Sequence, residues 1–202
     1  MVKGITERLS NEKKGKINME VAITPRNKNR FNQIASQNGK NQEFCKRVAK
    51  EDIVNLSIPE KLEMINNHEN LDVLINDKDW HIRSAIAKQG YGLDKLINDK
   101  NREVRIIVAE QGYRLDKLVN DEDWFVRKIV ARHGYGLSRF IKDEEPYVRM
   151  TVAEQGFGLD RLVNDNSPCV RIAVAEQRYD LNRLAKDEDP EVRSIANKLL
   201  KK

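Results

Sequence analysis

The stretch DEDWFVRKIVARHGYGLSRFIKDEEPYVRMTVAEQGFG, residues 121–158, decides the fold because it contains one pattern twice. In each copy an Asp is followed six residues later by Arg, four residues after that by Ala, and then by Gly-aromatic-Gly. The same unit starts at Leu71 and recurs six times without insertion or deletion, so six units of 22 residues account for residues 71–202. Tandem repetition with a period of this length is typical of a solenoid.

Each unit contains the start and stop signals of a helix. Position 9, counted from the Leu that begins the unit, mostly holds a helix N-cap residue, and position 10 is Pro in the last three units. About ten helical residues should follow, with a buried apolar stripe at positions 12, 15 and 16. Glycines then occupy position 20 in the first four units, where a left-handed C-cap is required.

A second helical segment in each unit has the pattern Leu-x-x-Leu/Phe and is short enough to be a single 3₁₀ or α turn. One such helix pair cannot bury its apolar stripe alone, whereas stacked units can. The sequence therefore predicts an all-α protein, an α-solenoid (superhelix) of six 22-residue helical repeats with an N-terminal helical cap.

The segments before the repeats differ in composition. Residues 1–42 are rich in Lys, Asn, Gln and Gly, which predicts a basic and flexible arm. Residues 43–70 are predicted to form the helical cap, with Pro59 near a helix start and Leu62 and Ile65 on one face. Residues 1–50 contain 12 Lys/Arg against 4 Asp/Glu, so any argument for a polyanionic partner begins there.

Several classes of function lack a sequence signal. No run of 18 apolar residues or secretory signal is found, so we expect no membrane partner. Cys45 and Cys169 are far apart and form no CxxC pair, which indicates a reducing cytoplasm. His68, His81 and His133 share no metal-ligand spacing. Because no catalytic arrangement is found either, we expect no enzymatic activity, metal, cofactor or small-molecule substrate.

The repeat pattern resembles known families. Residues 121–131 show the pattern D-x-(D/N)-x-x-VR-x-x-(V/I)A, and this pattern resembles HEAT-type repeats. The short unit is more similar to the leucine-rich-repeat variant family, whose units alternate α and 3₁₀ helices. Both resemblances imply an interaction scaffold. The variant family is also known with an N-terminal iron–sulfur module, but only Cys45 is present before the repeats, so we expect no cluster.

Asp at position 7 and Arg at position 13 recur in all six units. Six equivalent copies do not provide the distinct environments that acid–base catalysis requires. The resemblance to HEAT-type solenoids instead implies a structural ladder, with bidentate hydrogen bonds between adjacent repeats. Its members would be Asp77, Asp99, Asp121, Asp143, Asp165, Asp187, Arg83, Arg105, Arg127, Arg149, Arg171 and Arg193.

Position 3 of the short helix forms a basic row. Stacked helices lie about 8–10 Å apart, so such a row can follow a phosphate backbone. Acidic residues at position 2 favour the alternative, a solvated ridge whose charges compensate one another. The tyrosines and Phe157 at position 21 could stack on bases, although the change from Tyr to Phe favours packing. The basic row consists of Lys95, Lys117, Arg139, Arg161 and Arg183.

A second candidate surface lies on the long helices, at positions 11, 14 and 18. It is polar in the outer repeats and apolar in the central ones, which is typical of a partner-binding patch. The alternative is that position 14 is half-buried against the neighbouring turn. The candidate residues are Ile106, Phe125, Tyr147, Met150, Cys169 and Ile172, with Lys128 and Arg132 at the rim.

These observations lead to one principal hypothesis of function. The protein is expected to be a non-enzymatic scaffold of the bacterial cytoplasm that binds an unidentified protein on its central repeats. The alternative is a nucleic-acid-associated protein that uses the basic arm and the basic row. HEAT-like DNA glycosylases suggest a third, enzymatic hypothesis, for which the sequence contains no supporting residues.

Overall fold

The computed structural model describes residue 50 and residues 52–201. The predicted arm, residues 1–42, lies outside this range. The chain forms two compact units, one that ends at Leu74 and one that runs from Ile75 to Lys202. Within the described residues no helix is long and apolar enough to cross a membrane.

The described part of the first unit is helical. Residues 52–54 are helical, and helices follow at Ile58–Asn66 and Leu71–Leu74. Ser57 caps the longer helix, because its backbone N–H and its hydroxyl both donate to Glu60, at 3.0 and 2.7 Å. Pro59 stands in the first turn and Ile65 is buried, in agreement with the sequence, whereas Leu62 is half-buried. Capping of the repeats by this segment stays a prediction.

The repeats alternate short and long α-helices, and consecutive long helices pack against one another. No strand occurs in the residues that the structure describes. The predicted all-α solenoid of helical repeats is therefore confirmed, and the short segments are α-helical turns. After the Leu71–Leu74 helix, the short helices are Leu93–Leu96, Leu115–Leu118, Leu137–Phe140, Leu159–Leu162 and Leu181–Leu184. The long helices are Trp80–Lys88, Arg102–Glu110, Trp124–Arg132, Pro146–Glu154, Pro168–Glu176 and Pro190–Leu200.

The core follows the apolar stripe. Val126 and Val130, at positions 12 and 16 of repeat 3, are 0% exposed, and so are their equivalents in repeats 2, 4 and 5. Ala131, at position 17, is also fully buried, which leaves room for the next helix. The short helices contribute the large side chain at position 4, such as Phe140 in repeat 4. Alternating large and small residues thus fill the space between successive repeats.

Two left-handed residues separate each long helix from the next short helix. Gly134 ends the long helix of repeat 3 with φ of 74°, as predicted for a C-cap. Gly136 has φ of 72° and begins the next short helix, where an added Cβ would lie 2.6 Å from a methyl carbon of Val119. These paired glycines therefore reverse the chain direction.

Candidate interaction surface

The recurring Asp and Arg residues form a ladder between repeats. Arg127 donates from Nε and Nη2 to the two carboxylate oxygens of Asp143, at 2.8 and 2.9 Å. Its Nη1 donates to the backbone carbonyl of Asp121, in its own repeat, at 2.9 Å. The same bidentate arrangement recurs in Arg83–Asp99, Arg105–Asp121, Arg149–Asp165 and Arg171–Asp187. Each of these arginines joins its repeat to the following one.

The electrostatics of the ladder fit a structural role. The side chains of Arg127 and Asp143 are only 8% and 6% exposed, and Asp143 also accepts from the backbone N–H of Glu145 at 3.0 Å. The hydrogen bond from Arg171 lowers the pKa of Asp187, although burial alone would raise it. These carboxylates are already engaged as hydrogen-bond acceptors, so the ladder is not a row of free acids.

The last arginine of the ladder differs from the five others. Arg193 donates from Nη1 to the backbone carbonyls of Asp187 and Glu188, at 2.6 and 2.9 Å. Within the described residues it donates no hydrogen bond to a carboxylate, although its charge contributes to the lowered pKa of Asp187. At the other end Asp77 is buried and accepts from the backbone N–H of Asp79 at 2.8 Å.

Three aromatic side chains form a cluster on repeats 3 and 4, here called the aromatic patch: the exposed Tyr147 and the half-buried Trp124 and Phe125. The Trp124 and Tyr147 rings stack across the two repeats with centroids 5.7 Å apart and an interplanar angle of 28°. Trp124 meets Phe125 edge-on at 5.4 Å, and the Lys128 ammonium lies 5.5 Å from the centre of the Phe125 ring. Tyr147 is 49% exposed, so the cluster is open to a partner.

The structure corrects one residue of the predicted face. Ile106 is buried, with 7% of its surface exposed, and Ser84 at the same position of repeat 1 is equally buried. Position 14 therefore faces protein in the first two repeats, and Ile106 cannot contribute to an exposed surface. Other members of the face remain partly accessible: Arg132 is exposed, and Phe125, Lys128, Met150, Cys169 and Ile172 are half-buried.

Trp124 is the functional candidate that sequence reasoning missed. It occupies position 10, which was interpreted only as a helix start because Pro stands there in repeats 4–6. Since one position accepts both Trp and Pro, it is not a core position. That variation was the available signal that the indole lies at the surface.

Two exposed acidic residues precede the patch in sequence, Glu122 two residues before Trp124 and Glu144 three residues before Tyr147. Glu122 and Glu144 have side chains that are 85% and 87% exposed, and each accepts a hydrogen bond from a ladder arginine, Arg105 or Arg127. At position 11, which holds Phe125 and Tyr147 in the central repeats, the outer repeats have the exposed polar residues His81 and Glu191. Position 10 of repeat 1 is again a Trp, Trp80, which stacks on His81 with centroids 3.7 Å apart. An aromatic centre with a polar rim is the usual composition of a protein-binding surface.

All five members of the basic row are exposed. Lys95 and Arg183 donate to Asn76 and Asn164, each in the preceding repeat. At these two positions the row reaches across the boundary between neighbouring repeats.

The described residues contain no group of three or more His, Cys, Asp or Glu side chains arranged to hold a metal ion. Cys169 has a free thiol whose sulfur lies 3.1 Å from the hydroxyl oxygen of Ser167. Comparison with known proteins assigns no family, since the chain matches no protein-family model and no curated protein is significantly similar to it.

Proposed function

We propose that this protein is a non-enzymatic interaction scaffold whose central repeats bind a protein partner through the aromatic patch. The observation that carries the proposal is the stack of Trp124 on Tyr147, with Tyr147 49% exposed. Contiguous aromatic rings that stay partly exposed are uncommon on a surface that only contacts water. Trp and Tyr are also the residues that most often dominate the free energy of protein–protein binding.

The ladder supports this proposal by holding the rings in place. Trp124 belongs to repeat 3 and Tyr147 to repeat 4, and the Arg127–Asp143 rung joins the same two repeats. A surface whose geometry is set before binding loses less conformational entropy when the partner arrives. The half-buried Met150 on the same helix would extend the contact area.

We also propose that the repeats are related to the HEAT-type and leucine-rich-repeat variant families. The inter-repeat Arg–Asp bonds support the HEAT-type relation, whereas the α-helical form of the short helices differs from the 3₁₀ helices of the variant family. A cytoplasmic location belongs to this proposal, supported by the scarcity of cysteine.

The test is affinity capture with full-length protein from a lysate of the organism that encodes it. Phe125→Ser with Tyr147→Ser removes two rings of the patch, and Lys95→Ser with Arg161→Ser is a control of two exposed changes elsewhere. A specific partner should be retained by the wild type and by the control and lost by the patch variant. With the partner purified, the affinity should fall at least ~30-fold, equivalent to about 2 kcal/mol.

The stability of the patch variant decides how a loss of binding is interpreted. Its free energy of unfolding should fall by no more than about 3 kcal/mol, because Phe125 is half-buried and each of the two deleted rings makes one aromatic contact with Trp124. Unfolding of the variant would instead place the rings in the core and contradict the proposal. Retention of the partner by the patch variant, together with its loss by the control, would move the binding site to the basic row.

A further inference from the structure

Three exposed cations in repeats 4 and 5, Arg139, Lys142 and Arg161, form a row that we call the cation strip. Within the described residues their side chains make no hydrogen bond or ion pair. Arg139 and Lys142 line one groove of about 440 Å³, and Lys142 and Arg161 line a second of about 360 Å³. Since Lys142 belongs to both grooves, the strip is continuous.

The remaining groups in the second groove leave the positive charge of the strip uncompensated. Two carboxylates lie there, but Asp143 is bound to Arg127 and Asp165 to Arg149. The side-chain amides of Asn164 and Asn166 also line the groove. The first groove differs, because its Glu144 shares Arg127 with Asp143 and so places one further negative charge beside Arg139 and Lys142.

Compensation by acidic residues at position 2 is weaker in this half of the solenoid. In repeat 2 Asp94 accepts a hydrogen bond from Tyr113, and in repeat 3 Asp116 pairs with Arg114. In repeat 4 the residue is Ser138, and in repeat 6 it is Asn182; only repeat 5 retains an acid. Along the row, position 2 therefore supplies no negative charge in repeats 4 and 6.

A row of aromatic rings accompanies the cations. Tyr135, Phe157 and Tyr179, at position 21, are 42%, 40% and 38% exposed. The hydrogen bond from Tyr113 to Asp94 shows that this position lies beside the short helix of its own repeat. Each of the repeats 3–5 thus presents one exposed ring and at least one exposed cation next to its short helix.

We propose that the cation strip binds the phosphate backbone of a single-stranded nucleic acid, with the adjacent rings stacking on its bases. A single-stranded nucleic acid presents one phosphate and one base per nucleotide along its length. The row of cations and the row of rings repeat in the same way along the solenoid. Guanidinium and ammonium groups bind phosphate oxygens well, and aromatic rings stack on bases of any type. An acidic peptide would match the cations but would leave the rings without a role. The proposal concerns a different surface from the aromatic patch and does not depend on it.

The test measures fluorescence anisotropy of labelled oligo(dT) and oligo(U) of ~15 nucleotides with the full-length protein at several salt concentrations. Lys142→Gln with Arg161→Gln should weaken binding at least ~10-fold and reduce the salt slope by about 1.4, for two phosphate contacts at about 0.7 each. Lys88→Gln with Lys198→Gln removes the same charge from exposed positions of the long helices, and it should change neither quantity appreciably.

The rings are tested by Phe157→Ala with Tyr179→Ala, which should weaken binding ~10-fold without changing the salt slope. Two results would overturn the proposal. The affinity could fall equally in the Lys142/Arg161 and Lys88/Lys198 variants, or it could stay unchanged in both. In either case the strand would not be bound specifically by the cation strip. Tighter binding of a duplex of equal length, or of poly-glutamate with the same dependence on Lys142 and Arg161, would reject single-stranded nucleic acid as the ligand.

Discussion

Replacing Arg127 by Ala tests how much one rung of the ladder stabilises the protein. The change removes two hydrogen bonds to Asp143, one each to the backbone carbonyls of Asp121 and Glu122, and a longer one to the Glu144 carboxylate. The Asp143 carboxylate keeps its bond from the N–H of Glu145, but its side chain is only 6% exposed and water cannot replace the guanidinium fully. The variant therefore leaves a largely buried anion without its counter-ion.

The expected cost follows from this geometry. Removing one partner of a buried ion pair costs about 3–5 kcal/mol, and leaving a buried polar group unsatisfied costs about 1–3 kcal/mol. Asp143 lines an open groove, which gives water partial access, so the lower end of the first range applies. We expect Arg127→Ala to lower the free energy of unfolding by about 3 kcal/mol.

Urea unfolding followed by circular dichroism measures this loss, with Arg193→Ala as a matched control. Arg193 has the same position in repeat 6 and binds two backbone carbonyls, but in the described part of the chain it donates no hydrogen bond to a carboxylate. Its replacement should cost about 1 kcal/mol. If the two variants lost equal stability, the bond between Arg127 and Asp143 would contribute nothing measurable, and the ladder would not be what holds adjacent repeats together.

Two further predictions concern pH and backbone conformation. The hydrogen bond from Arg171 lowers the pKa of Asp187, so this rung should stabilise the fold above the ordinary aspartate pKa of about 3.9 and lose that contribution as the pH falls through the lowered value. Urea unfolding between about pH 6 and 2 should therefore show a smaller acid-induced loss for Asp187→Asn than for the wild type; an equal loss would contradict this. Gly136→Ala should cost about 2 kcal/mol, because its Cβ would lie 2.6 Å from a neighbouring methyl carbon, whereas Gly134→Ala, with φ of 74° and open space, should cost about 1 kcal/mol. Equal costs for the two glycines would show that the added Cβ is accommodated.

The sequence predicted the repeat architecture because its local signals agree with one another. Pro146 begins a long helix, Gly134 ends one, and Val126 and Val130 lie on its buried face, so each position limits the same element. One local signal was less informative, since Glu145 occupies an N-cap position but its side chain makes no capping hydrogen bond.

The surfaces were less predictable because they depend on how one repeat packs against the next. Ile106 and Met150 occupy the same position of repeats 2 and 4, but Ile106 is buried and Met150 is half-buried. The position in the repeat therefore does not determine the exposure of the side chain. The stack of Trp124 on Tyr147 joins residues 23 positions apart, and periodicity within one helix carries no information about it. Periodicity within one helix is equally uninformative about Lys142, which lines the same groove as Arg161 of the following repeat.

The direction of the ladder has a consequence for cooperativity. Each rung takes its arginine from one repeat and its aspartate from the next. Among the described residues, the unfolding of an interior repeat therefore breaks two rungs, whereas the unfolding of repeat 6 breaks one, Arg171–Asp187. Partly unfolded molecules should lose repeat 6 before any interior repeat and keep an uninterrupted folded block. Backbone amides of Pro190–Leu200 should accordingly exchange with solvent deuterium earlier than those of Trp124–Arg132.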